Sequence, residues 1–335
     1  MSERGSEQNS STPHSLTATL PGKWTTTSAG VSEWRVVACS ASGQYVYIAQ
    51  SSSGAIGLVT SSDFGHSFTH SLTAPTVRYV SLATSNSGEM VYALYNNLDD
   101  EGFSLCVSED YGITWNIQSS LTPLHTYSSI TCSDSGAVVY IVGFETDIFI
   151  SLDFGKSWNN PVVTYMQSTL LVQVVCGASG ENATTVASEN NGAVYTTNNY
   201  GVTWERQSLS TNMDSFSSVQ MSSNGKIVMV VDSKMLGGLF VSNNYGVDFT
   251  RNIHAPNITM ETLTASSDMQ FIMTNYYDHV NTTYASSDGG ESFDLIYLSN
   301  DEEVTVYTMA SSASGQVVVG MDFMGDIYLY QPACP

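Results

Sequence analysis

The side chains with most chemistry to offer here are arginines and carboxylates, and they are unequal in number. Nine Lys and Arg stand against 31 Asp and Glu in 335 residues. Guanidinium groups grip a carboxylate through paired hydrogen bonds, so three converging arginines would make an anion clamp. The arginines are Arg4, Arg35, Arg78, Arg206 and Arg251. Arg4 lies in a polar leading segment, and Arg206 and Arg251 follow repeated turn motifs on outer strands. Only Arg35 and Arg78 fall near inner-strand starts, too few for a clamp; pairing with local acids such as Glu33 is the simpler reading. Hydrolysis of a glycosidic bond needs two carboxylates about 5–10 Å apart. In so acidic a chain, finding two is uninformative. The runs Asp99-Asp100-Glu101 and Asp301-Glu302-Glu303 offer oxygen ligands of the kind Ca²⁺ takes, but solvated loop charge explains them as well. His279, beside Asp278, has no second histidine at ligand spacing. No phosphate-binding glycine pattern follows a strand, and no Gly-x-Ser-x-Gly elbow occurs. No cofactor and no metal are expected.

The elements that must position these side chains announce themselves by repetition. Six short motifs recur: Ser61-Ser-Asp63-Phe-Gly65-His-Ser67-Phe68, Ser108-Glu-Asp110-Tyr-Gly112-Ile-Thr114-Trp115, Ser151-Leu-Asp153-Phe-Gly155-Lys-Ser157-Trp158, Thr197-Asn-Asn199-Tyr-Gly201-Val-Thr203-Trp204, Ser242-Asn-Asn244-Tyr-Gly246-Val-Asp248-Phe249 and Ser286-Ser-Asp288-Gly-Gly290-Glu-Ser292-Phe293. Their central glycines are 47, 43, 46, 45 and 44 residues apart. That period, with four short strand-like segments per repeat, is the signature of a propeller blade. Each motif sits between two apolar alternating runs, so it reads as a hairpin turn between outer strands. Its Asp or Asn can accept backbone N–H bonds, its glycine suits a positive φ, and its closing ring can be buried between sheets.

A second repeat counts the blades. Inner hairpins turn at Gly43, Gly88, Gly136, Gly180, Gly225 and Gly315, and Met269 holds that place in a further copy, giving seven. The last repeat has strand-like runs near 304–310, 316–320 and 326–330 and no fourth. Near the start, Gly22-Lys-Trp24-Thr25 resembles the end of a motif followed by a strand. The expectation is an all-β chain: a seven-bladed β-propeller of four-stranded antiparallel blades, the last closed by the N-terminal strand. Residues 1–19 read as a disordered polar tail and 20–335 as a single propeller domain.

The motif Ser-x-Asp-x-Gly-x-Ser/Thr-Trp/Phe resembles that of the Asp-box (BNR) repeat family over roughly residues 20–330. Asn199 and Asn244 depart from its Asp, and Asp248 from its Ser or Thr. The family spans sialidases, xyloglucan-hydrolysing glycosidases, sortilin-type receptors, photosystem II assembly propellers and lectins, so it implies a fold before a function. The resemblance implies that Asp63, Asp110, Asp153, Asn199, Asn244 and Asp288 are structural. It places functional side chains on the opposite face, at inner-strand starts and in loops between second and third strands. There the candidates are Arg35, Arg78, Tyr127, Phe216, Glu261 and Tyr307, with Asp99, Asp147 and Asp278 from the loops. Sialidase chemistry would need three arginines, and no Arg-Ile-Pro precedes the first motif. Xyloglucan-hydrolysing relatives use two propellers, and the photosystem II relative an arginine-rich face; this chain has neither.

Composition supports the remaining reading. Hydrophobic residues make up 42%, enough for a sizeable core, while the net charge of −22 repels nucleic acid and anionic membranes. Cys39, Cys132 and Cys176 occupy one equivalent place in three blades and read as small, buried and interchangeable; Cys334 reads as a free terminal thiol. No apolar segment is long enough to span a membrane. The polar start and free cysteines suggest an intracellular or virion-associated location. The expected function is a non-catalytic interaction or scaffold module, an assembly component or receptor-like protein binder. The alternative is a carbohydrate-active protein, a glycoside hydrolase or lectin, on the face away from the Asp boxes. A protein partner is expected, with a glycan as the second choice and no nucleic acid.

Overall fold

The computed structural model describes residues 22–27, 32–51, 57–97, 102–118, 127–143, 148–161, 170–188, 192–207, 215–233, 238–256, 258–276, 282–297, 306–322 and 324–331. These form seven antiparallel sheets arranged as a seven-bladed propeller, with no helix among the described residues. The inner strands are Trp34–Cys39, Arg78–Thr84, Tyr127–Cys132, Leu171–Cys176, Phe216–Met221, Met260–Ala265 and Thr308–Ser311. Blade 3 shows three strands, and an isolated bridge between Ile150 and Asn159 stands where a fourth strand would pair.

Ring closure follows the expected scheme. Strand Lys23–Thr26 pairs with Ile327–Gln331, Trp24 opposite Tyr330. Trp24 is fully buried, its ring 5.5 Å from Tyr330 and 6.4 Å from Tyr328. Gly320 leaves room for it, since a Cβ there would lie 3.0 Å from the indole and 2.2 Å from Val306.

The core is distributed between blades. Second strands such as Val46–Gln50 and Val139–Gly143 are buried at every position, because a neighbouring sheet covers each face. Their unbroken apolar runs reflect this two-sided cover. One hydrophobic cluster sits at each blade interface. At the first, Ala38, Tyr47 and Leu58 of blade 1 meet Tyr79, Leu82, Val91 and Trp115 of blade 2. The closing rings of the recurring turns join these clusters, as Trp115 and Trp204 do.

Polar bonds stitch the blades at two radii. At the inner turns, Ala41, Asn86, Asp134, Ala178, Ser223, Ser267 and Ala313 each donate a backbone N–H to the carbonyl of the next in that order, and Ala313 donates to Ala41. The seven bonds, 2.7–3.0 Å long, close on themselves. Further out, the hydroxyls of Tyr47, Tyr92 and Tyr140 donate to the carbonyls of Gly88, Gly136 and Gly180, the turn glycines of the following blades. Met269, which replaces the turn glycine in blade 6, adopts φ 61°, so the turn keeps its shape with a residue that strains it.

Candidate functional site

A central channel of about 460 Å³ runs between the inner strands. Six of these strands share one device near their starts, placed one residue further in where the strand opens on Arg78. A buried anchor comes first: Trp34, Tyr79, Tyr127, Leu171, Phe216 or Met260. A register shift follows directly after it. Such a bulge inserts an unpaired residue and re-aims side chains. The inserted residues Arg35, Val80, Ser128, Val172 and Ser217 all line the channel, as does Thr262 in the wider bulge of blade 6.

This register separates the expected candidates. Tyr127 and Phe216 are 1% and 0% exposed. They were expected on the binding face, but they are anchors turned into the blade interfaces. Tyr127 stands edge-on between Phe103 at 6.0 Å and Phe149 at 5.6 Å. The bulge hands the channel position to the next residue, which simple alternation does not reveal. Arg35 takes that position in blade 1, with its guanidinium 4.9 Å from the centre of the Tyr307 ring. The Tyr307 hydroxyl donates to the Trp34 carbonyl at 2.5 Å. Burial pushes this phenol up to about 12 although Arg35 opposes the shift. The pair therefore clasps blade 7 to blade 1. Arg78 is exposed. Glu261 is half-buried, and burial raises its carboxyl above the usual range. Asp99, Asp147 and Asp278 lie outside the described residues.

The residue after the bulge carries a role that the sequence reading missed. The side-chain oxygens of Ser81, Ser129, Gln173 and Ser218 accept the backbone N–H groups of Ile130, Val174, Val219 and Leu263, each in the next blade. Their signal was available: a small or amide side chain two places after the anchor in four successive blades. Val36 and Thr308 hold that place in blades 1 and 7. Cys39 and Cys132 also line the channel. The cysteine position is thus half-buried rather than buried, with the Cys39 thiol pushed up to about 12 by burial.

The recurring turns lie at the outer rim. In the first, Asp63 Oδ1 accepts the Ser61 hydroxyl and the Ser67 N–H, both at 2.8 Å, and Oδ2 accepts the Ser67 hydroxyl at 2.6 Å. Ser61 Oγ in turn accepts the Gly65 N–H at 2.9 Å. Asp110, Asp153 and Asp288 repeat this set. The Ser67 and Ser157 hydroxyls hold the Asp63 and Asp153 carboxyls below the usual range. Asn199 accepts the same N–H and donates Nδ2–H to Thr203 Oγ1 at 2.8 Å. Asn244 does likewise, donating to Asp248 Oδ2 at 2.9 Å. The two departures in the fifth turn therefore compensate each other, donor exchanged for acceptor. The residue before the glycine is also left-handed, at Phe64, Tyr111, Phe154, Tyr200 and Tyr245, with φ of 57–64°.

No protein-family model and no curated protein matches the chain. Solved structures do resemble it. The GH74 xyloglucanase from Xanthomonas campestris superposes with a TM-score of 0.71 at 12% identity, covering 94% of this chain and 55% of that one. YCF48 from Cyanidioschyzon merolae superposes at 0.68 with 14% identity, covering 92% and 98%. U3-55K gives 0.69 at 7%, covering 93% and 99%. This chain spans about half the length of the xyloglucanase. At such identities the likeness shows the fold alone: glycoside hydrolases and assembly or scaffold proteins share it.

Proposed function

We propose that this chain is an Asp-box propeller acting as a non-catalytic interaction module, holding a protein partner on the face opposite its recurring turns. One observation carries the reading. Polar side chains on the channel wall join one blade to another: Ser81, Ser129, Gln173 and Ser218 bind the next blade, and Arg35 with Tyr307 clasps the seventh to the first. They build the ring, which leaves the surface around the channel mouth to meet a partner. Propellers of this shape take proteins, as the solved complex of YCF48 with a D1 peptide illustrates. The test is affinity purification with cross-linking from the native source, using the native chain and Arg78→Glu, a change at an exposed position on the proposed face. A defined partner weakened by Arg78→Glu supports the reading. A partner set indifferent to every change on that face overturns it.

A carbohydrate-active protein is the second reading, favoured by one observation: the raised Glu261 carboxyl, the state a general acid needs. Chromogenic glycosides and xyloglucan oligosaccharides test it. Turnover abolished by Glu261→Gln would replace the first reading with this one.

A further inference from the structure

The outer rim carries a groove unrelated to the central channel. It lies between the fourth strand of blade 1, Thr69–His70, and the recurring turn of blade 2, Tyr111–Thr114, and encloses about 580 Å³. Tyr45 and Tyr111 stack in it with ring centres 4.7 Å apart. Leu72 and Ile113, 94% and 68% exposed, also line it. Its walls are tied together, because the hydroxyls of Ser71 and Thr73 donate to the carbonyls of Gly112 and Ile113 at 3.3 and 3.1 Å. The shape therefore exists before any ligand arrives.

Pseudo-symmetry supplies the control. The equivalent groove between blades 5 and 6, about 380 Å³, is dressed with Arg251, His254, Asp288 and Glu291. His254 and Glu291 stand 3.7 Å apart there, and only Ile253 repeats the exposed aliphatic residue. Propeller geometry makes such grooves, and of these two the sequence has made the first the more apolar. Among the described residues, no Lys, Arg, Asp or Glu lines the first groove. Carboxylates flank it instead: Glu109 is exposed two residues before Tyr111, and the carbonyl of exposed Glu89 accepts the Tyr111 N–H at 3.1 Å. The whole chain carries a net charge of −22, which favours the approach of cationic partners.

We infer that the rim groove between blades 1 and 2 docks a basic segment of a partner protein through one aliphatic or aromatic anchor. The stacked tyrosines and Ile113 take the anchor, while flanking lysines or arginines meet Glu89 and Glu109. This surface is independent of the channel face proposed above.

A bead-displayed library of short peptides varying Lys, Glu, Leu, Phe, Ser and Gly tests it, with selected sequences measured by fluorescence anisotropy. The expected selection combines a Leu or Phe with several Lys. Ile113→Asp should then weaken binding about tenfold or more, while Ile253→Asp in the equivalent groove changes it less than about twofold. Arg78→Glu, on the other face, should leave peptide binding intact, so failure of the channel-face reading would not register here. Both isoleucines are exposed, and unchanged melting temperatures confirm that the variants fold. Three outcomes overturn the inference: no peptide selected, selected peptides without an apolar residue, or equal losses from Ile113→Asp and Ile253→Asp.

Discussion

Asn244→Asp restores the motif's usual residue, yet it should destabilise the protein. In the fifth turn Asn244 Nδ2 donates to Asp248 Oδ2 at 2.9 Å. A carboxylate in its place would face Asp248 without a proton between them. At that separation two unit charges repel by about 1.4 kcal/mol in a water-like dielectric and about 6 kcal/mol at an effective value near 20. Both residues are exposed, so the lower figure applies, eased by salt and by the side chains moving apart. The lost hydrogen bond adds about 1 kcal/mol. The expected cost is about 2 kcal/mol at neutral pH, read as a lower urea midpoint by tryptophan fluorescence. Two carboxylates forced together share a proton more readily than separate ones, so the penalty should fade as the pH falls toward the carboxylate range. Asp248→Ser alone should be nearly neutral, because the fourth turn already works with Asn199 opposite Thr203. The double variant Asn244→Asp with Asp248→Ser reproduces Asp63 opposite Ser67 and should regain most of the loss. An Asn244→Asp protein as stable as the native chain at pH 7, or one that Asp248→Ser fails to rescue, refutes the compensation argument.

Asp153→Ala should cost about 1–2 kcal/mol by removing its turn hydrogen bonds, whereas Asp153→Asn, which copies the arrangement of the fourth turn, should cost less in a thermal melt. The depressed Asp153 carboxyl contributes stability that is present above the unfolded carboxylate pKa and lost as pH falls through the lower folded value; an acid titration of Asp153→Asn against the native chain should show a shallower loss. Trp24→Ala should cost about 3–5 kcal/mol by emptying a buried site at the ring closure, checked by urea unfolding. Ser129→Ala leaves the Val174 N–H without its acceptor and should cost about 1–3 kcal/mol; hydrogen exchange at Val174 should accelerate if the bond is as described.

The blade number was legible because each turn needs the same few residues at the same spacing. Trp24 revealed the closure for the same reason: a large apolar residue beside glycine and lysine repeats the end of a turn. Met269 shows that a turn can be recognised from its surroundings when its glycine is gone. The channel wall was harder to read. A bulge shifts the facing of a strand by one residue and leaves no residue type of its own, so Tyr127 and Phe216 looked like surface, while Ser128 and Ser217, which line the channel, drew no notice. The inter-blade bonds of Ser81 and Ser129 depend on a neighbour about one repeat away in sequence, which no local pattern encodes. Function was least legible, because surface complementarity places no demand on spacing.

The loop of backbone bonds from Ala41 through Ala313 and back has a consequence for the entrance it surrounds. Every N–H points the same way round, so the chain of bonds has neither a first donor nor a last acceptor. A helix leaves such groups bare at its two ends and gains a pole at each. Here the amide dipoles run head to tail around a circle and their vector sum is nearly zero. The seven N–H and seven C=O groups at one opening of the channel thus offer an approaching ion almost no net attraction or repulsion. Any charge preference at that opening must come from side chains, with Asp134 on the circle itself.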